Sequence, residues 1–226
     1  MRMPLFPNVE AFILAGGKSS RMGRDKALLE LQGEPLLQRT ANLVKPLASK
    51  VSLVTSAAPS ATHDDTNRRS TFGLPNVIDN WPDAGPLGGI VTALTAAQSR
   101  WCLILACDMP FLTKEWIAFL LGKIEQIESE AVASRNNRET PQHLDVIIPE
   151  TSRGMEPLCA VYRSTCAPIL TTALDRGVRK VTDALADLNL KRIGENEWRQ
   201  FSPDGNLFGN LNTWQDYSEA QKRFKP

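Results

Sequence analysis

Residues 11–26, Ala11-Phe12-Ile13-Leu14-Ala15-Gly16-Gly17-Lys18-Ser19-Ser20-Arg21-Met22-Gly23-Arg24-Asp25-Lys26, decide how the rest of the chain is read. Ala11 to Ala15 is a short apolar run without a polar residue, the pattern of a buried strand. It empties into a loop with three glycines (16, 17 and 23) and four cations (Lys18, Arg21, Arg24 and Lys26). Glycines let the backbone come close to a ligand and turn its N–H groups toward it. Inward N–H groups together with cations make a seat for an anion, most often phosphate. Spacing excludes two common phosphate loops. A Walker A loop needs a glycine five positions before Gly17, where Phe12 stands, and no G-x-G-x-x-G dinucleotide fingerprint is present.

Composition narrows the class further. A chain of 226 residues suits one α/β domain, with two small domains as the alternative, and is long enough to bury a core without staples. The expected domain spans residues 1–226, with a loop at about 1–8. A net charge of +1 argues against a general nucleic-acid or membrane-surface binder. No apolar run approaches a membrane span, and the N-terminal run is too short for a signal-peptide core, so a cytoplasmic protein is expected. The four cysteines (102, 107, 159 and 166) form no C-x-x-C pair and read as buried, reduced thiols. His63 and His143 lie in polar stretches and read as exposed loop residues, which leaves no credible Ser-His-Asp or Cys-His arrangement.

Outward from the loop, strand and helix patterns alternate. Strands are expected at 28–31, 51–55, 76–79, 101–106, 145–149 and 191–193, and residues 155–162 read as a loop entering a further strand. Helices are expected from Pro35, at 90–98, at 114–127 behind a Thr113 cap, at 167–175, at 181–188, and after a Thr213 cap. Gly177 separates two of these helices as a C-terminal cap would. Trp101 to Ala106, apolar throughout, is the candidate central strand. Such alternation implies a three-layer α/β/α, Rossmann-like fold with a mostly parallel sheet. Ligands in these sheets sit beyond the carboxyl ends of the strands. The loops at 16–26, 79–89 and 107–110 all fall there.

The opening loop, L-A-G-G-x-S-x-R-M-G-x-D-K, resembles the signature loop of nucleotidyltransferases that build sugar nucleotides and related diphosphates. Behind it, in order, stand G-P-L-x-G at 85–89, C-D-x-P at 107–110, E-P-L-x-A-x-Y at 156–162 and N-x-N-T at 210–213. Together they resemble the molybdenum cofactor guanylyltransferase family, the MobA family. The resemblance implies the nucleotide-diphospho-sugar transferase fold and Asp108 as the metal-binding aspartate at a strand end, holding Mg²⁺. It implies Asp79 as a nucleotide contact, with Leu14, Ala15 and Gly16 presenting main-chain groups to the base and Gly17 among the binding residues. Gly85 and Gly88 belong to a turn lining the base or acceptor pocket. Ser56 stands where relatives often carry a base-contacting Asn, so a hydroxyl takes that place here. Lys26 and Arg21 are placed to neutralise charge on a departing pyrophosphate. Of Asn210 and Asn212, one approaches the metal or phosphates and the other shapes the turn; Glu156 either faces the acceptor or is a plain loop residue.

The activity implied is transfer of GMP from GTP to molybdenum-bound molybdopterin, giving the guanine dinucleotide cofactor and pyrophosphate. The implied partners are GTP, the molybdopterin acceptor, and cofactor-biosynthesis proteins or molybdoenzyme apoproteins, with no nucleic acid and no membrane. Two alternatives stay open: a cytidylyltransferase on the same pterin or another small nucleotidyltransferase, and a non-catalytic cofactor carrier.

Overall fold

The computed structural model describes residues 4–15, 25–56, 72–136 and 143–224, with side chains described to residue 130 of the long helix. In chain order the elements are β1 (Phe6–Leu14), a 3-10 turn (Lys26–Leu28), the hairpin strands β2 (Glu30–Leu31) and β3 (Glu34–Pro35), α1 (Leu36–Val44), β4 (Ala48–Ser56) and β5 (Asn76–Asp79). Then come α2 (Pro86–Ala96), β6 (Trp101–Ala106), α3 (Lys114–Asn136), β7 (Val146–Thr151), β8 (Gly154–Met155) and β9 (Cys159–Arg163). The chain continues through α4 (Ala167–Asp175), α5 (Val181–Ala184), β10 (Leu190–Ile193), α6 (Glu195–Trp198) and α7 (Trp214–Arg223).

The main sheet runs β10-β7-β9-β6-β1-β4-β5, with β8 paired to β7. β1 lies between β4 and β6, parallel to both, with Leu14 opposite Val54 and Ala106, so the three strands end on one edge. β5 joins β4 in parallel, bringing Asp79 opposite Ser56 on that same edge. β9 is antiparallel to both neighbours, β6 and β7. Its direction was not evident from its apolar run, because parallel and antiparallel buried strands share the same composition.

Alternation along the strands sorts side chains to two cores, as the period of two requires. From β1, Ala11 and Ile13 enter one core, while Phe12 and Leu14 enter the other. From β6, Trp101, Leu103 and Leu105 face the first, and Cys102 and Ile104 the second. α1 and α3 cover the first core with Leu37, Val44, Trp116, Ile117 and Leu120. α2, α4 and α5 cover the second with Leu87, Ile90, Leu170 and Val181. Every residue of β6 is buried. At about 1.5–3 kcal/mol for each large apolar side chain removed from water, this strand and its neighbours dominate the stability. A third, smaller cluster joins Leu29, Leu31 and Leu36 to Leu211 and Ala220, with Phe111, Tyr217 and Phe224 against it. It ties the segment after the opening loop to the last helix.

Several boundaries differ from the sequence reading. β1 begins at Phe6, whose N–H donates to Leu47 O, so the expected loop at 1–8 is strand from Phe6 onward. A strand was expected from Leu28, but Asp25 Oδ1 accepts from Ala27 N and winds Lys26–Leu28 into a 3-10 turn. α2 begins at Pro86 instead of Ile90, and takes in Gly88 and Gly89. α3 runs to Asn136, beyond the expected Ile127. α5 stops at Ala184 instead of Leu188, because Asp145 and Val146 donate their N–H groups to Asn189 O and the Asp145 carboxylate accepts from Asn189 N. Those bonds pull the chain out of the helix and into β10. At Gly177 the helix ends as read: its φ is +86°, and Val178 N donates to Ala173 O.

Candidate functional site

A cavity of about 320 Å³ opens on the edge where β1, β4, β5 and β6 end. Leu14 and Ala15 line it from β1, Ser56 from β4, Asp79 from β5 and Asp108 from just beyond β6. Lys26 enters from the 3-10 turn, Gly85 from the start of α2, and Asn210 and Asn212 from the segment before α7. These nine expected site residues are thus brought to one crevice from seven parts of the chain.

The chemistry concentrates on one cation. Lys26 Nζ lies 3.1 Å from Asp108 Oδ2 and donates to Asn212 Oδ1 at 2.9 Å. The Lys26 and Asp108 side chains are each about 20 % exposed. Asp108 is also tied through its main chain, since its carbonyl accepts from Leu211 N at 3.0 Å. Asn210, which also lines the cavity, has a buried Oδ1 with no donor among the described residues. A buried carbonyl oxygen without a partner is costly unless a cation or donor meets it. A carboxylate and an amide oxygen form a donor set suited to a hard divalent cation that takes its remaining ligands from phosphates and water. Among the described residues, no group of three or more His, Cys, Asp or Glu could hold a metal.

The opposite wall is built on α2. Gly85, at φ +62° and ψ −149°, precedes the helix, and Pro86 opens it at N1. Gly85, Pro86 and Gly89 line the cavity, so the positive end of the helix dipole lies beside it, an anion-attracting arrangement. Asp79 Oδ1 accepts from Trp81 N at 2.8 Å and from Thr92 Oγ1 at 3.0 Å, so that oxygen also fastens the turn to α2. Gly88 was expected to line the pocket. Instead it packs under the turn, where an added Cβ would stand 2.4 Å from Trp81 O. Gly89, one residue on, faces the cavity in its place.

Gly16, Gly17 and Arg21, expected to hold phosphate, lie outside the described residues, as does His63. His143 is exposed and pairs with Asp145 at 3.0 Å, far from the cavity in the fold. Ala27, Val54, Pro86, Gly89, Ala106, Cys107 and Leu158 also line the cavity and were not singled out. Pro86, Gly89, Cys107 and Leu158 belong to the quoted motifs; the others had no signal beyond their place at a strand or turn end. Glu156 precedes Leu158, and burial holds its carboxyl above the usual range against the opposing pull of Arg153 and the Thr151 hydroxyl.

A crystal structure of molybdopterin-guanine dinucleotide biosynthesis protein A from Archaeoglobus fulgidus superposes with a TM-score of 0.69, covering 95 % of this chain and 97 % of that one at 23 % identity. That likeness shows the fold. An edge carrying a lysine–aspartate pair, together with a family match over most of the chain, defines the class: the chain is a nucleotidyltransferase. The family described as MobA-like NTP transferase domain matches residues 11–189, and the chain belongs to that family. The molybdenum cofactor guanylyltransferase of Desulfosudis oleivorans is 30 % identical over 220 residues, 96 % of each chain. A protein of Trichormus variabilis named "Probable molybdenum cofactor guanylyltransferase" is 32 % identical over 219 residues, 96 % of this chain and 92 % of that one.

Proposed function

We propose that this chain transfers GMP from GTP to molybdopterin, forming the guanine dinucleotide cofactor and pyrophosphate. The observation that carries the reading is the Lys26 ammonium held between Asp108 and Asn212, inside a crevice whose far wall is the N-terminus of α2. Relatives that bear the guanylyltransferase name along nearly the whole chain support it.

The chain's own residues supply position and charge. The terminal phosphate of the acceptor attacks the α-phosphorus of GTP; a new P–O bond forms as the bond to the β-phosphate bridging oxygen breaks, and pyrophosphate leaves. A phosphate monoester is already anionic near neutral pH, so no side-chain base is needed. Lys26, with Arg21 from the opening loop, neutralises charge growing on the leaving group. Leu14, Ala15, Gly16 and Gly17 offer main-chain groups to the nucleotide, and Ser56, Asp79 and Gly85 line its seat. Asp108 and Asn210 would hold a divalent cation, Mg²⁺ in this reading, whose chemistry there is charge neutralisation on the triphosphate.

Pyrophosphate release with GTP, Mg²⁺ and purified molybdopterin tests the activity. Lys26→Ala and Asp108→Ala are each expected to lose about 10²–10³-fold in kcat, the usual cost of removing one electrostatic stabiliser. Near wild-type rates in either variant would refute the assigned role. Turnover with CTP in place of GTP would overturn the guanine assignment.

A further inference from the structure

One carboxylate connects the last helix to the lysine of the crevice. Asp216, the third residue of α7, accepts through Oδ2 from Thr213 N at 2.7 Å and from Asn212 N at 2.9 Å. Thr213 Oγ1 accepts in return from Asp216 N at 3.1 Å. The Thr213 half of this arrangement is an ordinary capping box. The second acceptance, from Asn212, reaches outside the box to the residue whose side chain meets Lys26. Main-chain bonds thus fix this segment from both directions: Leu211 N is tied to Asp108 O, and Asn212 N to Asp216.

We propose that Asp216 is a positioning residue: by holding the Asn212 main chain it aims Asn212 Oδ1 at Lys26, and so sets where the ammonium stands relative to Asp108. The proposal rests on the reading of Lys26 and Asp108 as substrate-site groups. Partial desolvation raises the Asp216 carboxyl, but the Asn212 and Thr213 N–H groups, the Thr213 hydroxyl contact and the Lys26 charge outweigh it and hold the carboxyl below the usual range. The carboxylate therefore responds to the lysine as well as to the helix end. A helix cap alone would not require Asn212; a device for placing Lys26 would.

The test uses the full chain with Asp216→Ala, Asp216→Asn, Thr213→Ala, Asn212→Ala and the Asp216→Ala/Asn212→Ala double variant. Each is assayed for kcat and KM by pyrophosphate release and for Tm. Asp216→Ala is expected to lower kcat about 10- to 100-fold, the scale of one hydrogen bond to a charged group, with KM for GTP little changed. Asp216→Asn keeps an acceptor oxygen and recovers part of that loss; it also carries the comparison if the alanine variant does not fold. Thr213→Ala removes the other half of the box and is expected to lower Tm while leaving kcat near wild type. In the Asn212→Ala background, Asp216→Ala is expected to add no further loss in kcat. A wild-type kcat in Asp216→Ala with only a lower Tm would reduce the residue to a cap and overturn the proposal. Losses that multiply in the double variant would overturn it too, since Asp216 would then act by another route. Lys26→Ala and Asp108→Ala run alongside separate the two levels. Retained turnover there sinks the underlying reading and this proposal with it; lost turnover there beside a normal Asp216→Ala sinks the proposal alone.

Discussion

Gly85 and Gly88 stand three residues apart and are required for opposite reasons. At Gly85 a side chain would find open space, but its φ of +62° with ψ near −150° belongs to a region that only glycine enters readily. At Gly88 the backbone is helical, but a Cβ would meet Trp81 O at 2.4 Å and Trp81 Cβ at 2.9 Å. A backbone carbonyl cannot swing aside as a flexible side chain can. Gly89 has neither constraint, since its Cβ would rest 3.4 Å from Leu14 Cδ1. Urea denaturation should therefore rank three variants. Gly88→Ala is expected to cost about 1–3 kcal/mol or more through overpacking, and Gly85→Ala about 1–3 kcal/mol through strain. Gly89→Ala should stay within about 1 kcal/mol of wild type, because alanine is the better helix former. Gly88→Ala should also weaken nucleotide binding, because the turn it displaces begins at Asp79. Equal stability for Gly88→Ala and Gly89→Ala would contradict the close approach of α2 to that turn. Three glycines in five residues read as a loop in sequence; packing against Trp81 and Leu14 is what makes two of them helical.

At the scale of elements, α7 packs on the third cluster and has an aspartate at each end. Asp216 holds its N-terminus, and Asp204 pairs at 2.7 Å with Arg223 in its last turn. The Ser202 hydroxyl and, less strongly, Asn206 N–H and Arg223 hold the Asp204 carboxyl below its usual value against a smaller desolvation penalty. Both folded-state values are depressed, so the sign is fixed. Their stabilisation is complete above the ordinary carboxylate value, about pH 4, and is lost as pH falls below it through the folded-state values. Amide exchange across 214–224 is expected to rise below about pH 4 while β6 stays protected; exchange rising in both together would place the acid-sensitive contacts elsewhere. The helix itself was legible from its Thr213 cap, just as β6 was from its unbroken apolar run. The contact from Asn212 to Lys26 was not, for it joins residues 186 apart and leaves no mark in any local window. The same holds for Lys26 and Asp108, whose motifs were readable singly but whose pairing exists only once β1 and β6 lie side by side.

For the whole molecule, the question is whether the two cores on either face of the sheet open as one. The cysteines can report this. Cys102 and Cys166 belong to the core under α2 and α4, and Cys159 to the core under α3. All are buried, and none of the four cysteines is in a disulfide. Burial pushes the Cys159 and Cys166 thiols up to about 12 and Cys102 higher still, so at pH 8 none of the three presents a thiolate. Cys107 differs, for it lines the cavity and is 7 % exposed. β1 and β6 supply residues alternately to both cores, so neither core can come apart without breaking the central strands that carry the other. Alkylation followed by mass spectrometry in sub-denaturing urea is therefore expected to modify Cys107 first, and then Cys102, Cys159 and Cys166 at one common rate. Where cleavage or labelling is slow relative to reclosing, that rate follows the population of the open state. A nucleotide that binds only the folded chain lowers that population, by about 100-fold at a hundred times its dissociation constant. GTP with Mg²⁺ should thus slow all three interior thiols equally, although only the C-terminal edge of the sheet touches it. If Cys159 labelled well before Cys102 and Cys166, the face under α3 would open separately, and the shared strands would not couple the two layers.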